Sequence, residues 1–178
     1  MWPQCDAAEL FVFQENVLKE VLGVDVGGVI IDRVNDETDT SFFGQNFLQT
    51  TAVADAFEVL KRLQSRFDQI VVVSKCGQST QDRTKLWLAH HDFYSRTGIA
   101  DSDLYFCRER REKAPICQQL GVTHFIDDRL EVLGYLETVS NLYLFQPIES
   151  EVTRHSRFLP RVKRMNSWQD VLAEFMTA

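Results

Sequence analysis

The sequence lacks long apolar runs, paired cysteines and an excess of basic charge, and each absence excludes a class of protein. No stretch approaches the roughly 20 consecutive apolar residues that a membrane span requires. The net charge of −7 does not fit a general nucleic-acid binder, which neutralises phosphates with a basic surface. Residues 1–10 are acidic and mixed, unlike a signal peptide, and we therefore expect a cytoplasmic protein.

The cysteines and histidines show no metal-binding pattern. None of the four cysteines forms a Cys-x-x-Cys pair or stands at zinc spacing with a histidine. We interpret the cysteines as reduced thiols in or near the core, and His90, His91 and His124 as structural. The cysteines are Cys5, Cys76, Cys107 and Cys117.

The length and composition fit one globular domain. A chain of 178 residues buries roughly 70% of its unfolded surface, and 44% of these residues are hydrophobic. No internal repeat, low-complexity segment or linker divides the sequence. We predict a single domain over residues 1–178, with its core at about 21–145. An irregular segment and a C-terminal helix, in residues 146–178, are expected to pack on that core.

Apolar runs alternate with amphipathic segments along the core, which is typical of βαβ units. The predicted strands end near residues 25, 74, 107, 126 and 145. The predicted helices cover 51–67, 79–93, 114–121, 130–137 and the residues after 167. These elements predict an α/β fold: a three-layer, Rossmann-like arrangement with a mostly parallel sheet of about five strands. Neither long connection contains a large insert, so we predict no large cap domain.

The stretch from Val21 to Asp32 contains the first candidate functional residue. An apolar run ends at Asp25, and Gly27 and Gly28 follow, where glycine lets the backbone turn and approach a ligand closely. In open α/β sheets, ligands bind beyond the carboxyl ends of the strands, where Asp25 is expected. On its own, the stretch fits equally well a strand that ends in an Asx-type turn.

Further polar residues follow the other predicted strands. Ser74 and the pair Asp127–Asp128 come directly after apolar runs, and Lys113 starts a helix. Parallel strands bring these ends to one edge of the sheet, so the side chains should meet. The set suits phosphoryl transfer: carboxylates bind Mg²⁺, Asp25 could attack phosphorus, and Lys113 and Ser74 could offset phosphoryl charge. If these residues stood outside this ordered set, we would interpret Ser74 as a helix cap and Lys113 as an ordinary exposed lysine.

This ordered set resembles the haloacid dehalogenase-like (HAD) superfamily of phosphohydrolases. The resemblance extends over roughly residues 21–145, the whole predicted sheet, and implies the superfamily's Rossmann-like fold with the Asp25 strand at its centre. Each motif is short, and the resemblance depends on their order and structural setting. The residues that carry it are Asp25, Ser74, Lys113, Asp127 and Asp128.

The resemblance implies a role for each of these residues. Asp25 would be the nucleophile that forms an aspartyl phosphate, and Ser74 and Lys113 would bind the phosphate of the substrate. The implied cofactor is Mg²⁺. Its implied ligands are Asp25, the backbone carbonyl of Gly27, Asp127 and, through water or in a supporting position, Asp128.

Gly27 departs from the family pattern. Phosphatases of the superfamily usually carry a second Asp there, which protonates the leaving group and then activates water. General acid–base help contributes roughly 10²–10⁴ in rate. Three hypotheses follow: a phosphatase with a substitute acid or a good leaving group, a slow enzyme, or a fold that binds without turnover. The polar segment from Asp32 to Gln49 is predicted as a flap or loop. Asp32 is a possible substitute for the missing acid, although a solvated residue of that flap is the preferred interpretation.

The function predicted from the sequence is a Mg²⁺-dependent phosphatase that acts through an aspartyl phosphate on Asp25. Without a cap the site should be open, which favours a macromolecular substrate or closure by a partner. The alternative is a catalytically silent HAD-like domain that binds a phosphorylated ligand or a protein.

The run from Asp25 to Gly28 also resembles the first phosphate motif of the actin-like kinase fold. That fold needs two lobes, and 178 residues are too few for them. Arg108, Arg110 and Arg111 fit either a second anion site or a solvated loop.

Overall fold

The computed structural model describes residues 19–33, 42 and 44–176. Residues 1–18 and most of residues 34–43, which belong to the flap or loop predicted from Asp32 to Gln49, lie outside this part of the chain. Among the described helices, none has the length and apolar character that a membrane crossing needs.

The centre of the fold is a six-stranded sheet in which every neighbouring pair is parallel. The strands are β1 (Val21–Val24), β2 (Gln69–Lys75), β3 (Leu104–Cys107), β4 (His124–Asp127), β5 (Asn141–Phe145) and β6 (Val162–Met165). Their spatial order is β3-β2-β1-β4-β5-β6, so β1 lies in the middle with β2 and β4 on either side. The first strand is almost fully buried, as a central strand of a covered sheet must be.

Helices cover both faces of the sheet. They are α1 (Ala56–Leu63), α2 (Gln78–His90), α3 (Phe93–Thr97), α4 (Lys113–Leu120), α5 (Leu130–Tyr135), α6 (Glu149–Arg154) and α7 (Trp168–Met176). Short 3₁₀ helices occupy Phe47–Gln49, Asp101–Asp103, Arg110–Glu112 and Ser156–Arg161. Alternate residues of β2 enter two separate cores: Ile70 and Val72 join α1, α2 and α7, whereas Val71 and Val73 join α4 and α5. The three-layer α/β prediction is confirmed.

The segment predicted as irregular after residue 146 is more regular than expected. It contains α6 and the sixth strand, β6, which pairs with β5 from Val162 to Met165. The strand carries Lys163 and Arg164, both exposed. Charged side chains on an edge strand discourage pairing with other chains, but they also remove the apolar run by which a strand is found in a sequence.

The first helix is shorter than predicted, because residues 51–53 pair with the segment after the first strand instead. Thr51 accepts a hydrogen bond from the Asp32 backbone N–H at 2.9 Å, and Val53 donates to the Ile30 carbonyl at 2.9 Å. These bonds fix the backbone of residues 30–32 against the body of the fold. Between β1 and α1 the described residues form only one short 3₁₀ helix and no cap domain.

Candidate active site

Three neighbouring strands deliver polar side chains to one edge of the sheet. Asp25 follows β1, Ser74 is the sixth residue of β2, and Asp127 and Asp128 lie at the end of β4. The strands are hydrogen-bonded neighbours, and the Asp25 backbone N–H extends the pairing by donating to the Ile126 carbonyl at 3.0 Å. All four side chains are buried. Burial within β2 also excludes Ser74 as a helix cap, since α2 begins only at Gln78.

Lys113 links two of the acidic residues. It is the first residue of α4, only 1% exposed, and its Nζ lies 2.7 Å from Asp25 Oδ1 and 2.8 Å from Asp127 Oδ2. The ammonium group also lies 5.4 Å from the centre of the Phe125 ring. A buried lysine needs such partners, because an unpaired charge in the interior is very costly. The structure therefore excludes the ordinary exposed lysine that the sequence left open.

The turn after Asp25 folds back on itself. Gly27 and Ile31 form a parallel bridge, and the Gly28 N–H donates to the Ile31 carbonyl at 2.8 Å. Gly28 has φ +74°, and a Cβ there would lie 2.7 Å from both Arg33 Nε and Asp128 Oδ2. This position therefore requires glycine on conformational and steric grounds. Gly27 is different: a Cβ there would meet no atom within 4 Å.

Arg33 is a site residue that the sequence interpretation missed. Its Nε and Nη2 lie 3.0 and 2.5 Å from Asp128 Oδ2, and Nη2 also donates to the Gln146 carbonyl at 3.1 Å. Nothing in the pattern of the sequence connects positions 33 and 128, so no signal was available. The arginine holds Asp128 beside the Asp25–Lys113–Asp127 group.

These side chains surround an open cavity of about 540 Å³. The acidic and basic residues that line it are Asp25, Asp32, Arg33, Lys75, Arg110, Lys113, Asp127, Asp128 and Arg129. Of the predicted arginine cluster, Arg110 lines the cavity and pairs with Glu131 at 2.6 Å, whereas Arg108 and Arg111 do not line it. Thr80 and Thr84, one turn apart on α2, were also missed.

Burial dominates the electrostatics of the site. Desolvation, together with the nearby Asp127 charge, raises the pKa of Asp25 to about 6 against the opposing effect of Lys113. Desolvation likewise raises the pKa of Asp127 to about 6 and also raises that of Asp128. For Lys113, burial opposes the charged form, but the charges of Asp127 and Asp25 outweigh it and raise the pKa.

The acidic residues fit a divalent cation. One carboxylate oxygen from each of Asp25, Asp127 and Asp128 lies within 4.8 Å of the other two, and all three residues are buried. Hard oxygen donors of this kind are what Mg²⁺ prefers. The pairs with Lys113 and Arg33 leave one of the three negative charges without a positive partner, which a cation would neutralise. The carbonyl of Gly27 remains a predicted ligand.

The sequence matches no known family profile and no curated protein. Solved structures share its fold. A HAD-family hydrolase from Deinococcus radiodurans, with bound phosphate and sodium, has 13% identity and a TM-score of 0.62 over 89% of this chain and 97% of that one. The D,D-heptose 1,7-bisphosphate phosphatase from B. bronchiseptica, complexed with magnesium and phosphate, has 14% identity and a TM-score of 0.59 over 89% and 98%.

A third structure gives the same result. The cobalt-bound deoxy-D-mannose-octulosonate 8-phosphate phosphatase from Haemophilus influenzae has 12% identity and a TM-score of 0.53, over 90% of this chain and 88% of that one. At such identities the likeness concerns the fold. The chain has the HAD-like fold, without a cap domain in its described part, that the motifs predicted.

Proposed function

We propose that this chain with a HAD-like fold is a Mg²⁺-dependent phosphohydrolase in which Asp25 is the nucleophile. The observation that supports it best is the position of Lys113, buried between Asp25 and Asp127 at 2.7 and 2.8 Å. A buried ammonium at that point holds the attacking carboxylate in place and offers positive charge to phosphoryl oxygens. A cytoplasmic location belongs to the same proposal.

In the proposed reaction, a carboxylate oxygen of Asp25 forms a bond to phosphorus while the bond from phosphorus to the leaving oxygen breaks. Water then attacks the aspartyl phosphate and releases inorganic phosphate. Ser74 and Lys113 bind the phosphoryl oxygens. Asp25, Asp127, Asp128 and the Gly27 carbonyl would hold Mg²⁺, which when bound neutralises charge on the same oxygens.

The open cavity sets the substrate class only broadly. A phosphorylated small molecule or a phosphorylated macromolecule would both reach Asp25, because the described residues include no cap. A second candidate function is a silent domain that binds a phosphorylated ligand or a protein. It is favoured by Gly27, which leaves the usual place of the general acid without a carboxyl group.

The test is a screen of phosphomonoesters and acyl phosphates with Mg²⁺. We expect phosphate release by the wild type and its loss in Asp25→Asn, which keeps the shape of the side chain but weakens the nucleophile. Asp101→Asn is a suitable control, since Asp101 is exposed, accepts a hydrogen bond from Tyr94 and does not line the cavity. Equal rates in wild type and Asp25→Asn would contradict the role of Asp25 as nucleophile, and no activity in either would leave the silent domain as the better account.

A further inference from the structure

Four carboxylates of the described residues line the cavity, and three of them already have a positively charged partner. Asp25 and Asp127 share Lys113, and Asp128 is held by Arg33. The fourth, Asp32, is exposed at the cavity, and its side chain has no hydrogen bond or ion pair with any described residue. Among the described residues it is therefore the carboxyl group at the cavity that has no protein partner and can meet the leaving group of a substrate bound at Asp25.

The backbone holds Asp32 in that position. The bridge between Gly27 and Ile31 returns the chain to the edge where Asp25 lies, and the Asp32 N–H donates to the Thr51 carbonyl at 2.9 Å. Ile30, two residues before Asp32, accepts a hydrogen bond from the Val53 N–H. A residue that the sequence places seven positions beyond Asp25 thus lines the same cavity, and this placement outweighs the interpretation as a solvated flap residue.

The chemistry needs a proton donor, and the other described groups at the cavity are poor candidates for it. An alkyl leaving group departs as an alkoxide unless it is protonated in the transition state. Lys113 is held by two carboxylates, and the arginines do not release protons at physiological pH. Lys75 offers an ammonium group, which as a chemical class is a weaker acid than a carboxyl group. Burial raises the pKa of the Cys76 thiol, which makes that group a weak acid.

We propose that Asp32 is the general acid and base of the hydrolysis, an inference that rests on the proposed function. As Asp25 forms its bond to phosphorus, the electron pair of the breaking bond passes to the leaving oxygen. That oxygen takes the proton of the Asp32 carboxyl and leaves as an alcohol. In the second step, the Asp32 carboxylate takes a proton from the water that attacks phosphorus, and Asp25 is regenerated as phosphate is released.

The experiment compares leaving groups in Asp32→Asn, which removes the proton and keeps the shape. The readout is kcat/KM, because it reports the first chemical step even when hydrolysis of the aspartyl phosphate limits turnover. For an alkyl phosphate such as glycerol phosphate, we expect a loss of roughly 10²–10⁴. For 2,4-dinitrophenyl phosphate, whose leaving group needs no proton, we expect a loss of about tenfold or less.

Two further variants test whether the loss in Asp32→Asn comes from the missing carboxyl group. Asp32→Glu, which keeps a carboxyl group, should retain much of the activity on glycerol phosphate, whereas a structural role would not favour Glu over Asn. Asp101→Asn, outside the cavity, should leave both substrates unaffected. Because Asp32 is exposed, the variants should keep the wild-type melting temperature.

Different failures point to different errors. Suppose that the wild type cleaves the dinitrophenyl ester through Asp25. If Asp32→Asn then lowers the activity on both esters equally, or leaves both unchanged, the role of Asp32 is wrong and the proposed function stands. The same conclusion follows if the wild type cleaves no alkyl phosphate. If the wild type cleaves no phosphate ester and no acyl phosphate, the proposed function and the role of Asp32 are both wrong.

Discussion

Gly27 and Gly28 are neighbours with opposite tolerance for a side chain. A Cβ at Gly27 would meet open space, whereas Gly28 has φ +74° and faces Arg33 and Asp128 at 2.7 Å. The Gly27→Asp variant is therefore expected to fold and to place a second carboxyl group two residues after Asp25. Gly28→Asp should fail to fold or lose much of its stability, since both backbone strain and steric conflict oppose it.

The kinetic consequence of Gly27→Asp follows from acid catalysis. In the Asp32→Asn background, the added carboxyl group should restore alkyl phosphate hydrolysis, by up to the roughly 10²–10⁴ that a positioned acid contributes. Steady-state kinetics on glycerol phosphate, with thermal melts to check folding, would measure this. A well-folded double variant without any gain would contradict the view that a missing proton donor limits the rate.

Lys113 offers a second prediction for a single residue. Lys113→Met keeps most of the buried volume but leaves Asp25 and Asp127 without their cation, and losing one partner of a buried pair costs about 3–5 kcal/mol. Both carboxyl groups already have a pKa near 6, above the unfolded value, so the folded state takes up protons first as the pH falls. The loss in unfolding free energy caused by Lys113→Met should therefore be largest above pH 6, where both carboxyl groups are charged. It should be smaller in acid, where they are protonated.

Urea unfolding of wild type and Lys113→Met, at about pH 7.5 and about pH 5, would measure this deficit. Lys85→Met on α2 is a fair control because its side chain is exposed. A deficit that is the same at both pH values would mean that charge on the two carboxylates is not its cause.

Most of the candidate site could be predicted from the sequence, because Asp25, Ser74 and Asp127–Asp128 each follow an apolar run. Parallel strands then bring them together without any knowledge of side-chain contacts. Arg33 could not be found in this way. Its partner Asp128 is 95 positions away, and only the three-dimensional turn at Gly28 brings the two together. The roles assigned to these residues remain predictions.

Among the elements, the apolar strands, including β3 at one edge of the sheet, were easier to predict than β6 at the other edge. The run Gln69–Ser74 is apolar because both faces of β2 are covered, whereas β6 is half exposed and carries two basic residues. The predicted start of α1 was wrong for another reason: Val53 continues the helical spacing of Ala56 and Phe57, but the backbone of residues 51–53 pairs with residues 30–32. The tertiary contact with residues 30–32 overrides the helical spacing, and the sequence alone does not reveal that contact.

The C-terminal helix is joined to the turn that follows Asp25. Trp168, the first residue of α7, is buried, and its indole N–H donates to the Val29 carbonyl at 2.8 Å. Trp168→Phe keeps an aromatic ring but leaves that carbonyl without its donor, at a cost of about 1–3 kcal/mol. Because Val29 is adjacent to Gly28, we expect kcat on a phosphate ester to fall as well.

A matched variant separates the two effects. Phe175→Leu lies on the same helix and loosens the packing against Phe67 and Tyr143, but Phe175 does not line the cavity. Urea unfolding and steady-state kinetics of both variants should show destabilisation in each and a lower kcat only in Trp168→Phe. Unchanged kcat in a destabilised Trp168→Phe would mean that the turn is held by its other hydrogen bonds.

For the whole molecule, the proposed Mg²⁺ site predicts a coupling between metal binding and stability. A cation that binds only the folded chain stabilises it by mass action, so Mg²⁺ should raise the melting temperature. Metal ligands must be deprotonated, and burial raises the pKa of Asp25 and Asp127 to about 6. The increase should therefore be greatest at about pH 7.5 and fade as the pH decreases through 6, because protons then compete with the metal.

Thermal melts with and without millimolar Mg²⁺, at several pH values, would measure this coupling. Asp127→Asn should reduce the increase because it removes one charged ligand, whereas Asp101→Asn should leave it intact. The change in this melting-temperature increase with pH distinguishes the site from weak Mg²⁺ binding to the acidic surface of a chain with net charge −7. A carboxylate in water is still charged at about pH 5 and able to bind Mg²⁺, so an increase that does not change across this range would place the metal elsewhere.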